Sequence, residues 1–280
     1  MSLEIVLLMA PGLITLSPSV SAEQPKPVPT AQIAVSQHKL IVIGFVGGNI
    51  DATNLLHREV QLIRKLQESE SSNIHADIFA NRDGDAALRR VFELLGSDRN
   101  RDLSEGDKSA ARIVLFGHSW GAYQTVRLAN QLNQLHIPVL LTIQVDSVRK
   151  GLRSDSAIPP NVREAINFYQ AEGLLRGRKV IIARDPAQTK ILGNHELSYR
   201  QNPVSCAGFP WYARMFMRPH VQIENDPAVW DAIEALILAK ASSGAVQAAG
   251  GQKTDGRAKT GSPTASIDTS VISPQQLPVR

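Results

Sequence analysis

The sequence predicts a three-layer αβα sandwich built on a mostly parallel sheet of about six strands. Three observations predict it. Apolar residues make up 43% of the 280-residue chain and charged residues 20%, which is enough for a sizeable core. Strand-like and helix-like patterns alternate through residues 38–240, as they do in βαβ units. The strand-like runs are continuously apolar rather than alternating, as strands covered on both faces must be.

The elements follow in order. Residues 39–46 (KLIVIGFV) form the first strand, broken by Gly47-Gly48-Asn49. Leu55, Val60, Ile63 and Leu66 carry a helical spacing, so 52–68 reads as a helix with Asp51 as its N-cap. Residues 74–79 give a second strand, and 85–95 a helix stopped by Gly96. Residues 112–116 (RIVLF) are a third strand, followed at once by a helix through Leu135. Residues 138–145 (PVLLTIQV) are a fourth strand, and 160–172 a helix opened by proline. Residues 179–183 (KVIIA) are a fifth strand. The last helix spans 226–239, with Asp226 as N-cap and Pro227 at its first position. The stretch 147–178 then reads as a short lid or helix pair, so a small cap or none is expected.

The ends of the chain differ in composition. Residues 1–22 read as a signal peptide: 5–16 is the apolar core, and Ser19-Val20-Ser21-Ala22 offers a small-residue cleavage site. Export to the periplasm or beyond is the expectation, and a cytoplasmic location if that segment is not a signal. Glu4 and the lack of a Lys or Arg before the apolar run do not suit a signal. Residues 23–37 read as a Pro-rich linker, and 241–280 as a disordered polar tail with no recognisable partner motif. The longest apolar run holds Pro11 and Gly12 and falls short of the roughly 20 residues needed to cross a bilayer, so no spanning helix is expected. The single cysteine, Cys206, excludes an internal disulfide and a Cys-based zinc cluster. The net charge of +4 is mild and partly in the tail, which argues against nucleic acid as a partner.

Ligands of parallel sheets bind at the carboxyl ends of the strands. There, after 112–116, stands Gly117-His118-Ser119-Trp120-Gly121, a G-x-S-x-G between a strand and a helix. A turn this tight forces the serine into a strained backbone and needs small neighbours, and it holds the serine hydroxyl out above the sheet. The helix N-terminus behind it favours a developing negative charge. Residues 38–240 resemble the α/β-hydrolase superfamily, and the GHSWG elbow resembles that of its lipases, esterases and thioesterases. The family's usual first two antiparallel strands have no counterpart here, which trims the sheet.

The resemblance implies a chain order of nucleophile, acid, histidine, with the histidine before the last helix. His220 fits that place, and His195 is the alternative base. His136 reads as a turn residue, while His38, His57 and His75 read as structural or exposed. His118 is expected to pack beside the nucleophile. The acid is Asp146, which ends a fully apolar run where an unpaired carboxylate would be costly, or Asp185 after the fifth strand, whose plainer reading is an Asx turn before Pro186. The oxyanion hole is expected from the Trp120 N–H together with Phe45 or Val46 of the first loop. Phe209, Trp211, Tyr212, Met215, Phe216 and Met217 gather before His220, either as an acyl-binding wall or as packing at the edge of the core. The implied activity is hydrolysis of carboxyl esters of lipid or small acyl type through an acyl-enzyme, with no metal and no organic cofactor. Thioesters, amides or peptides are alternative substrates, and a catalytically silent binding protein is the reading from another class.

Overall fold

The computed structural model describes residues 39–69, 73–97, 102–151 and 154–249, with the side chains of 244–249 left aside. The proposed signal peptide, the linker and residues 250–280 lie outside the described residues.

Six strands form one sheet in the order β2-β1-β3-β4-β6-β8, and every pairing is parallel. They are β1 (Leu40–Val46), β2 (Ile74–Ala80), β3 (Ile113–His118), β4 (Val139–Val145), β6 (Val162–Gln170) and β8 (Lys190–Leu197). Two-residue segments β5 (Ala157–Ile158) and β7 (Ile182–Ala183) pair separately. The helices are α1 (Arg58–Glu68), α2 (Gly84–Leu94), α3 (Glu105–Ser109), α4 (Trp120–Gln134), α5 (Trp211–Phe216), α6 (Arg218–Asn225) and α7 (Pro227–Ala249).

The apolar runs of the strands serve two cores at once. Leu40, Val42, Val114, Phe116 and Ile143 face α1 and α7 and meet Leu62, Ile63, Leu66, Trp230 and Ile233. Their neighbours Ile41, Ile43, Ile113, Leu115 and Val139 face α2 and α4 and meet Ala87, Val91, Val126, Ala129 and Leu132. This period of two, with both faces buried, is why the runs show no polar alternation. Each large side chain so buried contributes about 1.5–3 kcal/mol.

Several expectations are corrected. Residues 160–172 are not a helix but carry β6, and the fifth parallel partner is followed by β8, while 179–183 contributes only the short β7. Val162, Ala165, Ile166 and Tyr169 recur at helical spacing, yet the segment is inserted between β4 and β8 with 165–170 wholly buried. Burial on both faces overrode a pattern that periodicity alone cannot decide. The stretch 147–178 therefore supplies strand β6 to the sheet, and its described residues form no helix. The first helix also starts later than expected, at Arg58. Asp51 Oδ1 accepts from Thr53 N at 2.8 Å, and Asn54 Oδ1 from Leu56 N at 3.1 Å. These local turns compete with the helix. At the other end α7 runs on past its expected end at 239, and past the expected domain limit of 240, to Ala249. Its small, helix-tolerant residues carry it.

The chain goes from β1 to β2 on one side and returns to place β3 on the other. The order of strands therefore reverses between β1 and β3. The crevice beyond their carboxyl ends is where such sheets take ligands, and the turns after β1, β3 and β4 all open there.

Candidate active site

Ser119 sits between β3 and α4 with φ 57° and ψ −122°. A non-glycine residue is held there only when its surroundings leave no other choice. The surroundings are backbone. A Cβ on Gly121 would lie 2.1 Å from the Phe45 carbonyl oxygen, and one on Gly117 would lie 2.5 Å from the Gly121 carbonyl carbon. Glycine at both positions lets α4 start directly against β1 and β3. Ser119 N–H donates to the Val145 carbonyl at 2.9 Å, which ties the elbow to the end of β4.

Asp146 is the next residue, fully buried and itself at φ 44°. His220, in α6, places Nδ1 2.5 Å from Asp146 Oδ2. With the proton on Nδ1, the ring's Nε2 is left as an acceptor. Gln170, at the end of β6, donates its backbone N–H to Asp146 Oδ1 at 3.0 Å and its side-chain amide to Oδ2 at 2.8 Å. A Cβ on Gly177 would come within 1.9 Å of Asp146 Oδ1. Gln170 and Gly177 thus fix the carboxylate. Neither was expected, because the segment of Gln170 read as helix. The one available signal was a polar residue closing an apolar, aromatic run, INFYQ.

The His118 ring packs 4.4 Å from the His220 ring, beside the nucleophile as expected. Burial, and then the charges of His220 and His57, hold its pKa well below the ordinary histidine value, so it stays neutral.

Trp120 is the first residue of α4, and its N–H belongs to the unpaired first turn. The first-loop expectation needs correction. Ile41 N–H donates to Arg112, toward β3, and Leu40 N–H to Asn73, toward β2. That alternation places the N–H groups of Phe45 and Val46 inside the sheet ladder. The first-loop residue brought against the serine is Gly47, where a Cβ would lie 2.9 Å from Ser119 Cβ. Gly48 follows in a turn at φ 47°, and Asn81 Nδ2 donates to its carbonyl. Beside Trp120 opens a cleft lined by Asn81, Arg82, Tyr123, Arg127 and Lys150. Lys150 Nζ lies 4.7 Å from the Trp120 ring centroid and donates to Asn81 Oδ1 at 2.8 Å.

The alternative acid and base lie elsewhere. Asp185 caps a turn, accepting from Ala187 N–H at 2.9 Å. Thr189, four residues on, bonds the Pro159 carbonyl beside the amino end of β6, so Asp185 belongs to the end of the sheet opposite Ser119. His195 lies on edge strand β8, stacked on Phe168 at 5.4 Å. Asp185→Asn is therefore expected to leave the reactivity of Ser119 toward a fluorophosphonate within about twofold of wild type. The aromatic stretch also divides. Phe209 is buried with Ala213 and Val221, but Trp211, Tyr212, Met215 and Phe216 of α5 are exposed. They do not pack the edge of the core.

An elbow after the third strand in chain order, an Asp–His pair and a six-stranded parallel sheet now stand together. The fold is that of an α/β hydrolase. No protein-family model matches the sequence, and no curated protein does. Among the solved structures the chain resembles are two of known identity. RedJ, seen with a polyethylene glycol molecule in its active site, is 12% identical with a TM-score of 0.35, over 72% of this chain and 97% of that one. Human thioesterase 2 is 12% identical with a TM-score of 0.37, over 74% of this chain and 97% of that one. Likeness of this degree adds nothing to what the sheet order and the elbow already say. Among the described residues no helix is long and apolar enough to cross a membrane.

A second buried cluster lies behind the elbow of this α/β-hydrolase fold. His57 Nδ1 is hydrogen-bonded to Glu224 Oε1. Glu59 is fully buried, and neither of its carboxyl oxygens has a hydrogen-bond partner. The N–H groups of Gly47 and Glu59 only approach it, outside bonding geometry. Burial first, and then Glu224, pushes the pKa of Glu59 up to about 8. Burial likewise raises that of Glu224 to about 8, opposed by His220, and lowers that of His57.

Proposed function

We propose that the protein is a serine hydrolase that cleaves carboxyl esters through an acyl-enzyme. The observation that carries this reading is the 2.5 Å contact between His220 Nδ1 and Asp146 Oδ2, made at the mouth of a strained G-x-S-x-G elbow. Such an arrangement leaves His220 Nε2 free to take the proton of Ser119 Oγ. Ser119 attacks the ester carbonyl, and the carbonyl oxygen takes the negative charge. The Trp120 N–H and an N–H of the Gly47–Gly48 turn stabilise it, aided by the start of α4. His220 then returns the proton to the leaving alcohol. Water, deprotonated by the same histidine, releases the acid and frees Ser119. Asp146 keeps the imidazole in the needed tautomer and stabilises its cation.

Reaction with a fluorophosphonate, followed by mass spectrometry of the modified peptide, tests the reading. Wild type is expected to be labelled at Ser119, and Ser119→Ala to lose both the label and at least about 10³-fold of its ester hydrolysis. A folded wild type that resists labelling and cleaves no acyl ester would refute it.

A further inference from the structure

Four titratable side chains that acyl transfer does not use meet on the α1 and α6 side of the elbow. His57 is the N-cap residue of α1, and Glu59 lies in the helix's first turn. Glu224 is near the end of α6, and His118 closes β3. All four are buried, Glu59 completely. Donor atoms of His57, Glu59 and Glu224 lie within 4.8 Å of one another. His118 Nδ1 is 3.7 Å from Glu59 Oε1 and 3.5 Å from Glu224 Oε2.

The cluster lacks a positive charge. Among the described residues no lysine or arginine pairs with either glutamate, whose ion-pair partners are His57 and His118 alone. A buried carboxylate needs a counter-charge or a proton, and the oxygens of Glu59 have no lysine, no arginine and no donor within hydrogen-bond geometry, only the N–H groups of Gly47 and Glu59 approaching them. This side chain is wholly out of solvent and aimed into a group of metal-ligating atoms.

We propose that His57, Glu59, Glu224 and His118 bind one divalent transition-metal ion, with Zn²⁺ the best chemical match. Two imidazole nitrogens and two carboxylates are a mixed N and O donor set of the kind Zn²⁺ takes, whereas Ca²⁺ and Mg²⁺ require more oxygens. Bonds of about 2.0–2.1 Å place tetrahedral donors roughly 3.3 Å apart. His118 Nδ1 lies 3.7 Å from Glu59 Oε1, close to that spacing, and the donors of His57, Glu59 and Glu224, within 4.8 Å of one another, draw in around the ion. The direct His57–Glu224 hydrogen bond opens as the ion takes both atoms, and the proton of that bond and the one held by Glu59 leave to solvent. One 2+ ion and two carboxylates sum to zero, so the filled site is neutral in the interior. Four protein ligands leave no open position, which makes the ion structural rather than a reactant. It would pin the start of α1 and the helix that carries His220 to the end of β3, one residue before Ser119. The proposal does not depend on the serine hydrolase reading.

The test is metal content. Full-length protein is equilibrated with Zn²⁺, dialysed against metal-free buffer and analysed by inductively coupled plasma mass spectrometry. Wild type and Ser119→Ala are each expected to hold about one zinc per chain, and Glu59→Gln and Glu224→Gln to bind it at least about tenfold more weakly. Zinc should also raise the melting temperature of chelator-treated wild type and leave that of Glu59→Gln unmoved. Co²⁺ in place of Zn²⁺ should give wild type the visible band of a tetrahedral site, a readout that needs no variant to fold. Two results would overturn the proposal. Wild type could retain no zinc and show neither thermal shift nor cobalt band, in which case protons fill the cluster. Folded Glu59→Gln could instead bind zinc as wild type does, which would place the ion elsewhere.

Discussion

Asp146→Asn is expected to lower kcat for ester hydrolysis by about 10³- to 10⁴-fold while the protein stays folded. Asp146 Oδ2 receives His220 Nδ1 and the Gln170 side-chain amide, and Oδ1 receives the Gln170 backbone N–H. All three neighbours are donors when His220 is in its working tautomer. An asparagine presents one oxygen and one NH₂ group to them. The amide nitrogen, whichever way it turns, faces a donor, and the arrangement that relieves this puts the imidazole proton on the nitrogen needed by Ser119. The base is then lost with its geometry nearly intact, so the damage falls on kcat more than on KM. Steady-state kinetics on a short acyl ester, with circular dichroism to verify the fold, measures it. A rate within tenfold of wild type would mean that Asp146 does not orient the base, even though it touches it.

What the sequence revealed and what it hid divide along a physical line. Local chemistry was readable. GHSWG announced the elbow because a strained serine needs small neighbours, and those neighbours do abut backbone. The run LLTIQVD pointed to Asp146 because a carboxylate closing an apolar strand needs a partner, and His220 supplies it. Facts set by pairing were not readable. In β6, Val162, Ala165, Ile166 and Tyr169 fit a helix as well as a buried strand, and only the neighbours β4 and β8 decide between them. With that element misread, Gln170 could not be seen as the group that holds the acid, and KVIIA took the place of the fifth strand and lent Asp185 false weight. The expectation of oxyanion donors at Phe45 and Val46 overlooks that the same apolar run already places them in the strand, whose ladder takes up their N–H groups; the proposed donor lies in the Gly47–Gly48 turn that follows. The buried cluster was beyond reach altogether. His57 and Glu224 are 167 residues apart, and nothing local in either segment mentions the other.

The elbow glycine nearest β1 carries the second large effect. Gly121→Ala is expected to destabilise the fold by about 3 kcal/mol, a melting-temperature loss of roughly 6–12 °C, and to abolish labelling of Ser119 in the protein that remains folded. The added methyl would stand 2.1 Å from the Phe45 carbonyl oxygen, 2.7 Å from its carbonyl carbon and 3.0 Å from the Val46 carbonyl carbon. These are backbone atoms at the carboxyl end of β1, with Phe45 paired to β2 and β3 and Val46 to β2, so no side chain can swing away. Relief requires α4 to lift off β1 or β1 to bow out of the sheet. Either movement separates the Trp120 N–H from the Gly47–Gly48 turn, the two halves of the proposed oxyanion site, and releases Ser119 from its strained backbone. Gly106→Ala in α3 is the matched comparison. Its methyl would meet nothing nearer than Ser104 Oγ at 3.6 Å, and alanine in a helix is favoured by up to about 1 kcal/mol. Thermal melts of the two variants separate the close approach at Gly121 from the general cost of replacing a glycine. If Gly121→Ala melted within a degree or two of wild type and kept its reactive serine, the contact between β1 and the start of α4 would be looser than the distances say, and the elbow would owe its shape to β3 and β4 alone.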